Sequence, residues 1–310
     1  MRRGVHVRGV LLALLVAGAA AACDGASGHE RLGDRAYAEG RWNEALAEYG
    51  MLPKVRRSAG VLAKTGAAAL HAGELRRAAE AYAGLADEDP TRVLEAAEGL
   101  EGVARAAERA GNADVLREVV AGLEAIAPDR PTGRYALLLL QQPGLEMTEA
   151  AALLPEALAA ATTAAAVDSL LTAYGRALQS TAGCGQALLP YRAVLRRSRD
   201  SGVRAPAGRG VADCAFALGA RADSAGRLQD AALWFAESAR VDSTTPTGRR
   251  ALLRYAGARL TQGDTLAAAL AFQAVVSGGA ADSTGEAAAS RLAALEAALS
   301  AGDSVRTGEQ

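Results

Sequence analysis

A three-residue signature recurs four times along this chain of 310 residues. Each copy has a Gly, an Ala five residues later and an aromatic residue nine residues after the Gly. The copies are Gly40/Ala45/Tyr49, Gly73/Ala78/Tyr82, Gly226/Ala231/Phe235 and Gly263/Ala268/Phe272. With 34 Gly and 4% aromatic residues in the chain, chance placement would give roughly 0.3 such triplets. Within each pair the copies lie 33 or 37 residues apart, a period typical of stacked helical hairpins, so the pattern predicts an all-α solenoid.

The residues around each signature predict a helix A, a turn and a helix B. In the second copy, Gly66 precedes the turn at Gly73, and Ala78 and Tyr82 share one face of a helix that stops before Pro90. Small residues let neighbouring helices approach closely, and the aromatic ring fills the space that they leave. The signature is therefore expected to lie in the contacts between helices.

These residues resemble the tetratricopeptide repeat (TPR), which has a small residue in helix A, Gly at the turn, Ala early in helix B, an aromatic residue four positions later and Pro after the helix. The resemblance is clear over residues 30–90 and 212–276. It implies a concave surface, lined by the A helices, that binds peptides or partner proteins. The positions that would line this surface are Tyr37, Leu70, His71, Arg105, Glu108 and Arg109 in the N-terminal half, and Asp213, Phe216, Asp223, Arg250, Leu253 and Leu260 in the C-terminal half.

The two halves of this predicted surface differ in chemistry. The first combines Arg with His and Tyr, which suits an acidic segment or a C-terminal carboxylate, and the second combines acidic with apolar residues. For each position the alternative is an ordinary solvated or interhelix residue.

Between the two clear pairs the repeat pattern is degenerate. Gly111 fits the turn of a third hairpin, with Leu116 and Val120 in place of Ala and the aromatic residue. Residues 132–162 and 164–198 fit further helix pairs, although Pro143, Pro155 and Pro190 interrupt them. The segment 199–210 is rich in Gly, Arg, Ser and Pro and is predicted to be a long loop or bend.

The chain ends with a predicted capping helix at about residues 284–300, which begins with the capping box Ser283–Glu286. These patterns predict six segments. They are a signal peptide at 1–22, a tether at 23–29, TPR-like repeats at 30–128, degenerate helical hairpins at 129–204, TPR-like repeats and the cap at 205–300, and a disordered tail at 301–310.

The first 22 residues have the features of an export signal. Three Arg precede a short apolar stretch at residues 10–17, and small residues lead to Cys23. The run resembles the lipobox of bacterial lipoproteins, which implies acylation of Cys23 and a lipid-anchored protein of the cell envelope or periplasm. Ala20 stands where the lipobox usually has Leu, so cleavage without lipid attachment is the alternative. The sequence does not select a membrane leaflet.

Removing residues 1–22 takes away three Arg and no acidic residue, so the net charge falls from −1 to −4. This balance argues against a nucleic-acid partner. Beyond residue 22 the only His residues are His29 and His71, and no metal-ligand spacing, phosphate-binding loop or nucleophile motif is present. We therefore expect a protein that is not an enzyme and holds no metal or cofactor.

The resulting hypothesis is a scaffold or adaptor of the cell envelope that binds a partner protein or peptide, with its oligomeric state left open. The alternative is a periplasmic binding protein for a small molecule or glycan that uses residues 129–204. The scarcity of aromatic residues there disfavours this alternative, because the segment has only Tyr135, Tyr174 and Tyr191.

Cys184 and Cys214 leave two possibilities open. Remaining cysteines of an exported protein commonly pair. The repeat register, in contrast, puts Cys184 at a turn and Cys214 about twelve residues before the next turn, roughly 18 Å away along a helix, which is too far for a disulfide.

Overall fold

Helices make up nearly all of the chain that the structure describes. The computed structural model describes residues 28–279 and 282–307, with side chains up to residue 300 in the last helix. The predicted signal peptide and Cys23 lie outside these residues. The helices are α1 (28–38), α2 (Trp42–Gly50), α3 (Ala59–Ala72), α4 (Leu75–Glu88), α5 (Val93–Ala110), α6 (Ala113–Ile126), α7 (Gly133–Leu139), α8 (Met147–Ala160), α9 (Ala164–Thr181), α10 (Cys184–Arg197), α11 (Ser201–Ser224), α12 (Leu228–Val241), α13 (Pro246–Thr261), α14 (Thr265–Ser277) and α15 (Ser283–Thr307). Short 3₁₀ turns occur at Lys54–Arg56 and Pro90–Arg92.

The chain divides into two compact units, Met1–Pro143 and Gly144–Gln310. In each unit every helix packs on the next one along the chain, and A helices also contact the following A helix, as α3 does α5 and α11 does α13. The predicted all-α, TPR-like solenoid of stacked hairpins is confirmed. Beyond the predicted segment end at 128, α7 packs on α6, and the predicted end at 204 lies within α11.

The hairpin turns are formed by glycines with positive φ. Gly40, Gly73, Gly111, Gly226 and Gly263 have φ between 64° and 82°, a left-handed conformation that other residues adopt only with strain. At Gly73 the backbone N–H donates to the carbonyl of Leu70, and this ends α3. All five predicted turns are therefore confirmed.

The signature residues lie in the helix contacts. Each of the four Ala residues is fully buried, and each aromatic ring is buried beside it. Tyr82 of α4 lies between Gly66 of α3 and Gly99 of α5; a Cβ on Gly66 would lie 2.8 Å from the ring, and one on Gly99 would lie closer still. Glycine is required at both positions because the backbones approach the ring so closely.

The α9–α10 hairpin is a further copy of the repeat, shortened by one residue at the turn. Gly183 has φ 88°, Ala187 and Tyr191 are buried, and Tyr191 lies between Gly175 and Gly210 as Tyr82 lies between its two glycines. Pro155, Pro190 and Pro206 lie inside α8, α10 and α11, and these helices continue through them. Pro143, in contrast, lies in the turn between α7 and α8.

The predicted loop at 199–210 is wrong. Asp200 caps α11 by accepting a hydrogen bond from the backbone N–H of Gly202 at 2.8 Å, and the helix runs for 24 residues from Ser201. Its glycines serve helix packing: a Cβ on Gly208 would lie 3.3 Å from Val241, and Gly210 faces Tyr191. The glycines that suggested a loop are instead needed where neighbouring helices pack closely against α11.

The structure joins Cys184 and Cys214 in a disulfide with Cα atoms 4.9 Å apart. The predicted separation of 18 Å is wrong because Cys184 of α10 lies directly beside Cys214 of α11 and not beside the next turn. In an antiparallel pair, residues equally distant from the connection lie side by side, and residues 184 and 214 lie equally far from the 198–200 link between α10 and α11.

The cap of the C-terminal helix lies one residue earlier than predicted. Asp282, rather than Ser283, caps α15, since its Oδ1 accepts from the N–H of Gly285 at 2.7 Å. Arg249 of α13, only 3% exposed, donates from Nη2 to Asp282 at 3.0 Å and from Nη1 to the Val275 carbonyl at 3.1 Å. α15 runs to Thr307, so the tail predicted to start at 301 begins as helix; residues 308–310 lie outside the described part.

Candidate functional site

A groove of about 480 Å³ runs along the A helices α1, α3 and α5 of the first unit. Its floor consists of residues with little or no side chain, and its walls carry aromatic, apolar and charged groups. The floor residues are Gly60, Ala63, Ala67, Gly99 and Gly102, and the wall residues include Tyr37, Lys64, Leu70, Tyr82, Arg92, Glu95, Glu98 and Arg105.

The groove exists because small residues recur at helical spacing on one face of α3 and α5. Gly60, Ala63 and Ala67 follow one another by three and four residues on α3, and Gly99 and Gly102 by three on α5. Leu70 closes the floor from the side, since a Cβ on Gly102 would lie 3.2 Å from its Cδ2. Gly99 thus serves both the contact with Tyr82 and the groove, and the small residues beside it leave a channel on the exposed side.

Two tyrosines give the groove apolar surface with hydroxyl groups. Tyr37 is half-buried, and its ring meets the edge of Trp42 with centroids 5.4 Å apart. Tyr82 is buried, and burial, with smaller effects of Tyr37 and Glu95, raises its pKa to about 12. The Tyr82 phenol therefore stays neutral at physiological pH.

Lys64 is held at the groove by a carboxylate. Its Nζ donates to Asp34 Oδ1 at 2.7 Å, and the same oxygen accepts from Tyr49 Oη at 2.8 Å. Burial alone would raise the pKa of Asp34, but the hydrogen bonds from Lys64 and Tyr49 outweigh it and lower that pKa below its usual value. Lys64 is thus a positioned cation opposite an ionised partner.

Arg105 is the groove cation that its own partner holds most loosely. Its Nη1 lies 3.8 Å from Glu101 Oε2, whereas Arg130 Nη1 lies 2.7 Å from Oε1 of the same carboxylate. Arg92, in contrast, pairs with Glu95 at 2.7 Å. The Arg105 side chain is 55% exposed. A carboxylate entering the groove can therefore reach this guanidinium without displacing a close ion pair.

The structure brings together three of the six residues predicted for the N-terminal half: Tyr37, Leu70 and Arg105. His71 lies outside the groove, stacked on Trp42 with centroids 4.4 Å apart. Glu108 pairs with Arg134 of α7, and Arg109 Nε donates back to the Arg105 carbonyl at 3.2 Å.

Four of the six residues predicted for the C-terminal half form contacts between α11 and α13. Asp213 accepts from Thr247 Oγ1 at 3.1 Å, and Asp223 lies 3.8 Å from Arg254.

The four remaining residues of this half differ in their surroundings. The Arg250 guanidinium lies 5.2 Å from the ring centroid of Phe216, and Leu253 packs with the cluster around Phe272. Leu260 is exposed at the surface. Asp213, Phe216, Asp223 and Arg250 thus have partners across two helices of the unit.

Lys64, Glu95 and Glu98 were missed as groove residues. A signal was available, because Lys64 follows Ala63 on the same stripe, and Glu95, Glu98 and Arg105 share a face of α5 at helical spacing. The middle segment behaves differently: Tyr135 and Tyr191 are buried in helix contacts.

In residues 28–279 and 282–307 no group of three or more His, Cys, Asp and Glu side chains is arranged to hold a metal ion. None of the helices within this same part of the chain combines the length and the hydropathy needed to cross a bilayer.

No protein-family model and no curated protein matches the chain. Among solved structures, the TPR2AB-domain:pHSP90-complex of yeast Sti1 aligns with 14% identity over 87% of this chain and 96% of that chain, at a TM-score of 0.31. The apo form of the quorum sensor NprR from B. thuringiensis aligns with 10% identity over 84% and 64%, at 0.30. PilW, a widely conserved type IV pilus biogenesis factor, aligns with 17% identity over 71% and 92%, at 0.28. Similarity this low carries no argument about activity, partner or location.

Proposed function

We propose that this chain is a non-catalytic scaffold of the bacterial cell envelope that binds an extended segment of a partner protein in the groove of α1, α3 and α5. The observation that carries the proposal is the groove itself, which is open to solvent and continuous over three successive A helices. An extended peptide can lie along such a channel, with main-chain groups meeting polar walls and side chains meeting apolar ones.

The lining indicates what the bound segment carries. Tyr37 and Leu70 offer apolar surface on one stretch of the groove, and Arg105 offers an exposed guanidinium. A segment with an apolar side chain followed by an acidic residue or a C-terminal carboxylate matches both features. Glu95 and Glu98, which share the groove face of α5 with Arg105, disfavour a uniformly acidic partner, because like charges would meet there.

The envelope location rests on the N-terminal sequence, with its basic start, short apolar stretch and Cys23. The disulfide between Cys184 and Cys214 supports it, because such bonds persist in oxidising compartments and are rare in the bacterial cytosol. Acyl chains on Cys23 would hold the scaffold at a membrane surface.

Site-directed crosslinking in the native envelope tests the groove. A photoactivatable side chain at Ala67, on the groove floor, should capture one protein partner that mass spectrometry identifies. Arg105→Glu should abolish this capture. Arg109→Glu is the matched control, since it makes the same charge change four residues along α5, where Arg109 bonds its own helix. Full capture by the Arg105→Glu variant would show that Arg105 does not contact the partner, and a wild type that captures no protein from Ala67 would exclude the groove as the contact surface.

Metabolic labelling with a fatty-acid analogue tests the anchor. The chain should be labelled and should fractionate with membranes, whereas Cys23→Ser should be unlabelled. If the wild type is unlabelled and fractionates as Cys23→Ser does, cleavage without lipid attachment applies.

A further inference from the structure

Four arginines converge on one cleft in the second unit. The cleft holds about 550 Å³ and lies between α10, the start of α11 and the end of α12. Arg192 and Arg196 come from α10, Arg204 from α11 and Arg240 from α12. Among the described residues that line the cleft, Glu237 is the one with a carboxylate. Its position sets it apart from the peptide groove, which belongs to the first unit.

Two of these arginines are fixed by their surroundings. The Arg192 guanidinium lies 5.8 Å from the ring centroid of Trp234, and its Nη2 lies 3.5 Å from Glu237. Arg204 Nη1 donates to the carbonyl of Ser198 at 3.0 Å and also to that of Leu195. These bonds use part of the five donors that each guanidinium carries.

The single carboxylate leaves the cleft with excess positive charge. Glu237 accepts from Arg240 Nε at 3.0 Å and Nη2 at 3.1 Å. Its pKa is lowered, chiefly by the Arg240 hydrogen bond and against the effect of burial, so the carboxylate is ionised at neutral pH. Four guanidinium groups against one carboxylate leave a formal charge of +3 on the lining.

Two of the positive charges lie close together on one helix, which is unfavourable for the helix itself. Arg192 and Arg196 are four residues apart on α10 and therefore lie side by side, an arrangement that destabilises a helix when the charges are alike. Arg196 is exposed at the rim and Arg240 at the end of α12. A bound anion with more than one negative charge would offset the repulsion.

We propose that this cleft binds the phosphate group of a phosphorylated ligand, either a soluble molecule or the headgroup of an anionic lipid. Guanidinium groups bind phosphate oxygens in pairs of parallel hydrogen bonds, and several around one cleft match a multiply charged anion better than a single carboxylate. The volume is in the range of small-ligand sites, so there is room for more than one phosphate.

Calorimetric titration of the full mature chain carrying Cys23→Ser with inorganic pyrophosphate tests the site. We expect saturable binding that weakens with added salt. Arg196→Gln and Arg240→Gln should each weaken it by about tenfold or more, the effect of removing one charge-assisted contact. Arg221→Gln, at an exposed position of α11 outside the cleft, is the matched control and should bind as the wild type does. Circular dichroism confirms that all variants fold.

Vesicle sedimentation separates the two sources of phosphate. Binding to phosphatidic-acid vesicles but not to phosphatidylcholine vesicles, lost in Arg196→Gln and retained in Arg221→Gln, identifies a lipid headgroup; pyrophosphate binding without vesicle binding identifies a soluble ligand. The proposal is overturned if neither probe binds, if Arg221→Gln loses as much affinity as Arg196→Gln, or if only acidic peptides bind.

Discussion

Tyr82 of α4 packs directly against the backbone of Gly99 in the next hairpin, and the ring occupies the space that a side chain at residue 99 would need. The same ring faces Gly66 of its own hairpin. One aromatic side chain therefore joins two repeats, and the glycines on both sides set how closely α3 and α5 approach it. The stacking of hairpins depends on such contacts of one aromatic ring with two glycines.

Gly99→Ala should destabilise the first unit. The added methyl group overlaps the Tyr82 ring, and overpacking of this kind costs about 1–3 kcal/mol. Gly84→Ala on α4 is the control, because its Cβ would lie 3.8 Å from Leu62, an ordinary contact; there the gain in helix propensity should stabilise by about 0.5–1 kcal/mol. Urea unfolding followed by circular dichroism measures both changes. Equal midpoints for the two variants would contradict the close packing of Tyr82 on Gly99.

Ala45→Leu should destabilise α2 and its hairpin by about 1–3 kcal/mol, since Ala45 is fully buried in the helix contact and leaves no room for three more carbons. Ala47→Leu on the same helix is the matched control, because Ala47 is exposed and its replacement should change stability by less than about 0.5 kcal/mol. Thermal unfolding of the two variants distinguishes them. Comparable losses of stability in the two variants would contradict this prediction, because they would not depend on the burial of the substituted residue.

Breaking the bond between Cys184 and Cys214 should destabilise the second unit. The bond closes a loop with a sequence separation of 30 residues, for which the chain-entropy relation gives about 3–4 kcal/mol. Dithiothreitol should lower the unfolding midpoint of the wild type but not that of the Cys184→Ala/Cys214→Ala variant. A thiol assay under denaturing, non-reducing conditions should detect no free thiol at either position. Reaction of both would show that the bond is absent in solution.

The cap of α15 should weaken in acid. Hydrogen bonds from the Gly285 N–H and from Arg249 hold the pKa of Asp282 below its usual value of 3.8, against the opposing effect of burial. A carboxylate with a depressed folded-state pKa stabilises fully above its unfolded-state pKa and loses this contribution as pH falls through the folded-state value. Asp282→Asn should therefore lower the unfolding midpoint at pH 7, and its gap to the wild type should close below about pH 4.

Unfolding midpoints of both proteins between pH 7 and pH 2 test this expectation. A gap that stays constant over the whole range would mean that the charge of Asp282 does not contribute to the cap, and that the Arg249 contact is replaceable by an amide.

The groove was predictable in part. Tyr37, Leu70 and Arg105 could be placed on one surface because their positions follow the A-helix register, which is a local property. His71 and Glu108 share that register but have other partners: Trp42 stacks on the first and Arg134 pairs with the second. Several side chains fit the A-helix register, but not all of them can contact a ligand. The nearest charged or aromatic neighbour on another helix decides which of them can.

The sequence by itself determined the hairpin repeat, because a left-handed glycine, a buried alanine and an aromatic wedge act between residues close along the chain. Gly73, Ala78 and Tyr82 take up the positions that their spacing indicates. Only the tertiary structure decided the pairing of Cys184 with Cys214 and the convergence of Arg192, Arg196, Arg204 and Arg240. The disulfide depends on the short connection at 198–200, which sets the residues of α10 and α11 that lie side by side. The arginine cluster depends in addition on the turn at Gly226, which sets where Arg240 of α12 lies against α11.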